Sequence, residues 1–213
     1  MLLPPFQLWF NWRFEGLERI PRTGPLIVAG NHLSYLDPFA HGYFVVKAGR
    51  RPRFLAKREL FENPFVGMVL RGAHQIPVDR IHGGTQPLDA AAAALAEGEV
   101  VVIYPEGTSV TANPDFSPGP GKTGAVRLSL QTGVPILPVA TWGGQDVWRR
   151  SGKQSLAFGR PIWLRSGEPF DPRGHVAAAG EPDVRGATDA LMTRLTDLVR
   201  DLSREYPAGW HAR

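Results

Sequence analysis

Short apolar runs, separated by turn-forming residues, recur along the chain and predict a series of β-strands. These runs are residues 26–29, 53–56, 75–78, 100–104, 134–140, 155–158 and 161–164. The run at 100–104 is rich in β-branched residues without polar interruption, which is typical of a strand buried on both faces. The two prolines within 134–140 favour irregular pairing or a position at the edge of a sheet.

Segments with helical signals lie between these runs. The predicted helices are residues 38–48, 86–97, 122–132 and 188–204. Asp37 is a candidate N-cap for the first of them, with Pro38 at its first position. Residues 165–187 are rich in glycine, proline and alanine and are predicted to form a loop. The alternation of strands and helices predicts an α/β fold with a largely parallel central sheet.

The first 14 residues, MLLPPFQLWFNWRF, have a composition unlike the rest of the chain. Arg13 is their only charged residue, and tryptophan and phenylalanine beside arginine are favoured at a membrane–water interface. We therefore expect residues 1–14 to be an amphipathic, membrane-facing segment. The alternative is a helix docked on the core of the domain itself, and the two arrangements can coexist.

Composition narrows the possible classes of protein. The 213 residues are enough for one domain, and a hydrophobic content of 43% with 21% charged residues is typical of a globular protein. The absence of cysteine excludes a disulfide framework, a cysteine nucleophile and cysteine-ligated metals. The net charge of +4 mildly favours anionic partners. Because no secretory signal and no apolar run of about 20 residues is visible, we expect a cytoplasmic protein, or one attached to the membrane surface from that side.

The segment from Gly30 to Pro38 joins a predicted strand to a predicted helix and contains a histidine and an aspartate. His32 and Asp37 share no face of a regular helix or strand, but a turn can bring them together. Asp37 would then fix the tautomer of His32 and leave the other ring nitrogen as a general base. The spacing alone leaves a second interpretation open, in which Asp37 only caps the helix.

Two further segments follow predicted strands directly. Tyr104–Ser109 places the carboxylate of Glu106, the backbone of Gly107 and the hydroxyl of Thr108 at one sheet edge, where they suit a polar substrate. In Ile76–Arg80 the arginine comes just after a strand and could hold a phosphate bidentately. Taken alone, the first segment is more simply explained as an ordinary turn, and Arg80 as a solvated surface residue.

Four blocks in this order resemble the 1-acylglycerol-3-phosphate O-acyltransferase family, the lysophospholipid acyltransferases. NHLSYLD at 31–37 resembles its N-H-x-x-x-x-D block, and YPEGT at 104–108 its [FY]-P-E-G-T block. IPVDR at 76–80 is similar to the end of its G-x-x-x-[IV]-x-R block, and VPILPV at 134–139 to its V-P-[IV]-x-P-[VA] block. The resemblance covers roughly residues 17–165. It implies one acyltransferase domain over 1–213, with a mixed, mostly parallel sheet flanked by helices as in glycerolphosphate acyltransferases.

The resemblance also implies a reaction: transfer of an acyl chain from acyl-CoA or acyl carrier protein to lysophosphatidic acid, giving phosphatidic acid. His32 would be the base and Asp37 would orient it, while Arg80 would hold the acceptor phosphate. The remaining substrate-binding candidates are Asn31, Glu106, Gly107 and Thr108, with the amide of Gly107 as a candidate oxyanion donor. The resemblance implies no cofactor and no metal. The membrane surface is an expected partner, and nucleic acid is not.

Two residues depart from the family pattern. His74 stands where the second block usually has glycine, and Ser109 stands where arginine usually follows the threonine of the third block. Lys57 or Lys122 could supply the missing positive contact. A basic run, Lys47–Arg58, could meet anionic headgroups or CoA phosphates, or be a solvated face.

Three other functions stay open from the sequence. The acceptor could be another lysolipid or glycerol 3-phosphate. His32 and Asp37 could instead activate water and hydrolyse a thioester. The third is a lipid-binding module without catalysis. The pair of His32 and Asp37 argues against it, because binding alone does not need a base.

Overall fold

The computed structural model describes residues 4–78, 86–107, 116–148, 155–178 and 180–210. Within these ranges a single seven-stranded sheet has the order β1-β7-β6-β2-β5-β3-β4. Every neighbouring pair is parallel except β6 and β7, so the sheet is mixed, as expected. The strands are β1 (Asn11–Glu15), β2 (Leu26–Gly30), β3 (Pro52–Lys57), β4 (Ile76–Val78), β5 (Val100–Ile103), β6 (Ile136–Trp142) and β7 (Pro161–Ser166).

Seven helices of the described chain accompany the sheet. They are α1 (Pro4–Trp9), α2 (Asp37–Lys47), α3 (Arg58–Glu62), α4 (Pro64–Gly72), α5 (Gln86–Ala96), α6 (Gly124–Thr132) and α7 (Val184–Glu205). Because side chains alternate along a strand, β2 contributes to two cores. Ile27 and Ala29 pack with α5, α6 and α7, whereas Leu26 and Val28 pack with α2. The central strands are thereby covered on both faces.

Most predicted strands are confirmed, and two details are wrong. Residues 155–158 form no strand. The strand predicted at 134–140 is β6, and of the two alternatives predicted from its prolines the edge position is wrong, because β6 lies between β2 and β7. The irregular pairing is present, since Ile136 pairs with Phe170 through an isolated bridge outside the ladder. Pro138 is accommodated because the ladder to β7 begins only at Val139, while the carbonyl of Pro138 accepts from Gly167 N–H at 2.8 Å. Its missing amide therefore falls at the end of that ladder.

The four predicted helices are confirmed with shifted ends, and the predicted loop is shorter. Asp183 accepts from the amide of Gly186 and starts α7 at Val184, while β7 continues to Ser166. The loop predicted at 165–187 therefore loses both its ends. Helices α3 and α4 and strand β1 had no counterpart among the predictions, since each is short and lacks clear periodicity.

The N-terminal segment consists of a short helix and a strand rather than one helix. Strand β1 pairs with β7 at the sheet edge, and Phe10 is buried in the core. The rings of Trp12 and Phe14 contact that of Tyr43 in α2, with centroids 5.1 and 5.3 Å apart. Packing on the domain thus accounts for residues 10–14. The membrane-facing role of the segment stays a prediction.

The parallel arrangement gathers several strand ends at one edge. Strands β2, β3, β4, β5 and β6 all end at the same side of the sheet, which is where ligand sites form in open α/β sheets. No helix in the described ranges is long and apolar enough to span a membrane.

Candidate active site

The turn that leaves β2 brings the histidine and the aspartate together. His32 Nδ1 lies 3.1 Å from Asp37 Oδ2, and the Asp37 side chain is fully buried. The Ser34 amide and hydroxyl also donate to this carboxylate, at 2.6 and 2.8 Å. Asp37 is the first residue of α2 and Leu36 is its N-cap, so the interpretation of Asp37 as the cap is wrong. The carboxylate instead accepts from three donors within its own turn.

Asn31 fixes this turn to the neighbouring strand. Its side chain donates to the carbonyl of Thr141 at 3.1 Å and accepts from the amide of Thr141 at 2.8 Å. Because Asn31 is fully buried, both halves of its amide act in a clamp between β2 and β6. The geometry makes Asn31 a residue that positions His32, and a direct contact with substrate stays a prediction.

Glu106 joins the turn after β5 to the turn after β2. Its Oε1 accepts from the backbone amide of His32 at 2.9 Å, and its Oε2 accepts from Gly119 N–H at 3.2 Å. Burial raises the pKa of Glu106, and the two backbone donors act in the opposite direction. The carboxylate therefore fixes the backbone that carries His32, a role that the sequence reasoning, which placed it against substrate, did not identify.

Tyr104 packs against the ring of His32, and His41 packs against Tyr104. The rings of Tyr104 and His32 stack with centroids 4.3 Å apart, and the Tyr104 hydroxyl lies 3.3 Å from His41 Nδ1. His41 is fully buried, which lowers its pKa. His41 Nε2 lies 3.0 Å from the carbonyl of Val139 and Nδ1 lies 3.0 Å from the carbonyl of Asp37, so a neutral His41 donates its one N–H to one of these two carbonyls.

Sequence reasoning missed the contribution of His41, and only one local signal points to it. A side chain at Gly30 would place its Cβ 2.6 Å from His41 Nε2, so this glycine makes room for the imidazole. The glycine before the Asn-His pair is thus the signal, but its meaning depends on a helix residue that packs against it.

The other predicted residues are placed differently. The N–H of Gly107 donates to the carbonyl of Tyr104 at 3.0 Å, so the structure does not support its interpretation as an oxyanion donor. A Cβ at Gly107 would lie 2.6 Å from the side chain of Lys122, which brings this lysine beside the turn after β5. Lys57 is exposed at the carboxyl end of β3. Arg80 and Thr108 lie outside the described residues, as does Ser109.

The basic run at 47–58 divides into residues with different environments. Arg50 donates to three backbone carbonyls, those of Pro21, Gly24 and Gly98, at 2.6 to 2.7 Å. It ties the loops before β2 and β5 together and is a structural residue. Arg51, beside it, is exposed. No group of three histidine, aspartate or glutamate side chains in the described part of the chain could hold a metal ion.

Comparisons with known proteins show what the chain as a whole is similar to. The sequence profile of the Acyltransferase family matches residues 11–142. The 1-acyl-sn-glycerol-3-phosphate acyltransferase of Bacillus subtilis is 27% identical over 190 residues, 88% of this chain and 87% of that protein. The 1-acyl-sn-glycerol-3-phosphate acyltransferase alpha of Bos taurus is 33% identical over 92% of this chain, which spans 65% of its length.

A solved structure shows the same fold. The crystal structure of the 1-acyl-sn-glycerophosphate acyltransferase from Thermotoga maritima matches with a TM-score of 0.71 and 24% sequence identity. The match covers 95% of this chain and 76% of that one. The mixed sheet with flanking helices is therefore shared with that structure.

Proposed function

The chain belongs to the Acyltransferase family, and from this premise we propose that it acylates the free hydroxyl of 1-acylglycerol 3-phosphate and so produces phosphatidic acid. The observation that carries the proposal is the hydrogen bond between His32 and Asp37 at the carboxyl edge of the sheet. It gives a buried carboxylate, an oriented imidazole and a ring that solvent can reach, since 13% of the His32 side chain is exposed.

His32 acts as the general base in this proposal. Donation from Nδ1 to Asp37 leaves the lone pair of the neutral ring on Nε2. The acceptor hydroxyl gives its proton to Nε2 while its oxygen attacks the thioester carbonyl. The new C–O bond forms, the C–S bond breaks, and the departing thiolate takes the proton from the imidazolium. Asp37 stabilises the imidazolium while it exists.

The substrate contacts are proposed from the family blocks. Arg80 holds the acceptor phosphate, with Thr108 at the glycerol. Lys122 provides the positive contact that Ser109 cannot provide. Its position beside Gly107, in the turn after β5, supports this assignment. Lys57, exposed at the end of the neighbouring strand, is the second candidate for that contact.

The donor and the location complete the proposal. The donor is a thioester, either acyl-CoA or acyl carrier protein, and no further cofactor takes part. The protein acts as a peripheral enzyme at the cytoplasmic face of the membrane, where its lipid acceptor is found. The exposed side chains of Leu8 and Trp9 in α1 support a contact of the N-terminal segment with lipid.

The test is the release of free thiol from palmitoyl-CoA, measured with and without lysophosphatidic acid. We expect release to require the acceptor, phosphatidic acid to form, and His32→Ala to abolish both while the protein stays folded. General acid–base catalysis is worth about 10²–10⁴-fold, so the loss is large. Release without acceptor would instead identify a thioester hydrolase. If wild-type protein releases thiol only with another lysolipid or with glycerol 3-phosphate, the proposed acceptor is wrong.

A further inference from the structure

Helix α4 is built from apolar residues, yet the protein does not cover them. Its sequence is PFVGMVLRG, and Gly67 is its one buried residue. Phe65, Met68 and Val69 expose 77%, 63% and 64% of their surfaces. A helix that is apolar on most sides is normally buried in protein or in lipid, and a contiguous exposed apolar patch marks an interaction site. The exposure of α4 therefore calls for a partner.

The exposed position of α4 is fixed by contacts with α3. The Asn63 side chain caps the helix by accepting from the amides of Phe65 and Val66, at 3.1 and 3.0 Å. Arg71 Nη1 donates to the carbonyl of Phe61 at 2.7 Å and ties the end of α4 to α3. A Cβ at Gly67 would lie only 2.2 Å from that same carbonyl, so the two helices pack closely there. The hairpin of α3 and α4 is thus a formed element that presents its apolar side chains outward.

Positive charge lies beside the apolar helix. An open depression of about 430 Å³ is lined in part by Arg53, Arg58, Arg71 and His74. Among the described residues no acidic side chain lines it, although Arg53 Nη1 lies 3.5 Å from Glu99. Arg53 Nε is buried without a hydrogen-bond partner in the described ranges. Guanidinium groups next to an apolar surface complement a surface that presents phosphates above hydrocarbon.

We propose that the hairpin of α3 and α4 is the surface by which this protein docks on a bilayer that contains anionic lipid. The side chains of Phe65, Met68 and Val69 enter the boundary of the acyl chains, and Arg58 and Arg71 pair with headgroup phosphates. The proposal rests on the proposed function, since a lysolipid acceptor resides in the membrane. Because α3 follows β3 directly, docking brings the sheet edge that carries His32 and Glu106 towards the lipid.

Co-sedimentation with vesicles of equimolar phosphatidylcholine and phosphatidylglycerol tests the apolar part. We expect Val69→Asp to lower the partition coefficient about tenfold or more, because burial of an aliphatic side chain is lost and a charge is added. Val176→Asp is the matched control, since Val176 is a valine with 59% exposure elsewhere on the protein. Equal binding by wild type and Val69→Asp, or an equal loss with Val176→Asp, would overturn the proposal.

The charged part is tested by comparing anionic vesicles with vesicles of phosphatidylcholine alone. Arg58→Ala should weaken binding to the anionic vesicles about fivefold, the effect of one basic residue near such a surface, and should change binding to the neutral ones much less. Arg127→Ala, an exposed arginine on α6, serves as the control. A loss that is the same on both vesicle types would contradict headgroup pairing.

A water-soluble substrate separates failure of this proposal from failure of the proposed function. With a short-chain lysophosphatidic acid dissolved below its micelle concentration, Val69→Asp should keep the wild-type rate, which also shows that it is folded. If wild type acylates this substrate but Val69→Asp binds vesicles as well as wild type does, the proposed docking surface is wrong. If wild type has no activity while Val69→Asp still loses vesicle binding, the enzymatic assignment is wrong and the docking surface stands.

Discussion

Two histidines lie close to Asp37, and their surroundings give them different roles. His32 contacts the carboxylate and reaches solvent, so it can exchange a proton with a substrate. His41 is closed off by the carbonyls of Val139 and Asp37 and the hydroxyl of Tyr104. Burial raises the pKa of Tyr104 and lowers that of His41, so both side chains stay neutral. The contact between His41 and the Tyr104 hydroxyl thereby fixes the Tyr104 ring, on which His32 stacks.

Acid should destabilise the protein through His41. Its folded-state pKa lies below the ordinary value of 6.5, so below that pH the unfolded chain binds a proton that the folded protein does not. Stability therefore falls as the pH drops from 7 through 6.5 towards the folded-state pKa, by at most about 1.4 kcal/mol per pH unit from this group. Urea unfolding at several pH values should show a flatter profile for His41→Gln, whose amide can still donate to Val139. Parallel profiles for the two proteins would contradict this.

Asp37→Asn tests whether the aspartate does more than start a helix. The substitution keeps the shape but removes the charge that accepts from His32 and twice from Ser34. We expect kcat to fall with little change in KM, and unfolding free energy to fall by about 1–3 kcal/mol, more than the roughly 1 kcal/mol of a lost cap.

Asp183→Asn is the control for that measurement, because Asp183 is the N-cap of α7. Asparagine caps a helix about as well as aspartate. This variant should therefore lose only a few tenths of a kcal/mol and keep the wild-type kcat. Similar losses of kcat in the two variants would show that the role of Asp37 is chiefly structural.

At the scale of elements, the local sequence pattern predicts that a strand exists better than it predicts where that strand lies in the sheet. Apolar runs identified β2 to β7, since burial on both faces leaves a signal within each strand. The interior position of β6 could not be read from its prolines, because the pairing partner decides which amides are needed. The site shows the same limit. The family block favoured a contact between His32 and Asp37 that their spacing alone left open, whereas Asn31, Glu106 and His41 act through backbone groups of distant elements.

The turn between α4 and β4 has a non-glycine residue in the left-handed backbone conformation. His74 has a φ of +53°, the left-handed conformation that commonly ends a helix at a glycine. His74 therefore differs from the usual glycine of the family block in residue type, but it adopts the backbone conformation that the turn needs. We expect His74→Gly to raise the unfolding free energy by about 0.5–1 kcal/mol, after the entropic cost of glycine is subtracted. Ala73→Gly, one residue earlier at negative φ, should instead lower it by a similar amount. The same sign for both in urea unfolding would show that His74 is not strained.

At the scale of the whole molecule, the N-terminal segment belongs partly to the fold. Deleting residues 1–14 would remove most of β1 together with Phe10, Trp12 and Phe14, which pack in or against the core. We expect that truncation to lose several kcal/mol of unfolding free energy, since a fully buried side chain such as Phe10 contributes about 1.5–3 kcal/mol and the partly buried Trp12 and Phe14 add to it. Deleting residues 1–8 should leave the unfolding midpoint nearly unchanged and reduce vesicle binding. A shorter truncation that binds vesicles like the full chain would argue against a lipid contact of this segment.

The pairing of β1 with β7 also has a consequence for biosynthesis. Glu15 and Arg165, which form an ion pair between these strands, are 150 residues apart in sequence. A ribosome that adds about 5–20 residues per second needs roughly 8–30 seconds to make that interval. Throughout it, the aromatic residues of β1 have been synthesised but their partner strand has not. The edge strand therefore joins the sheet late, and the nascent chain carries an uncovered aromatic segment for most of its synthesis.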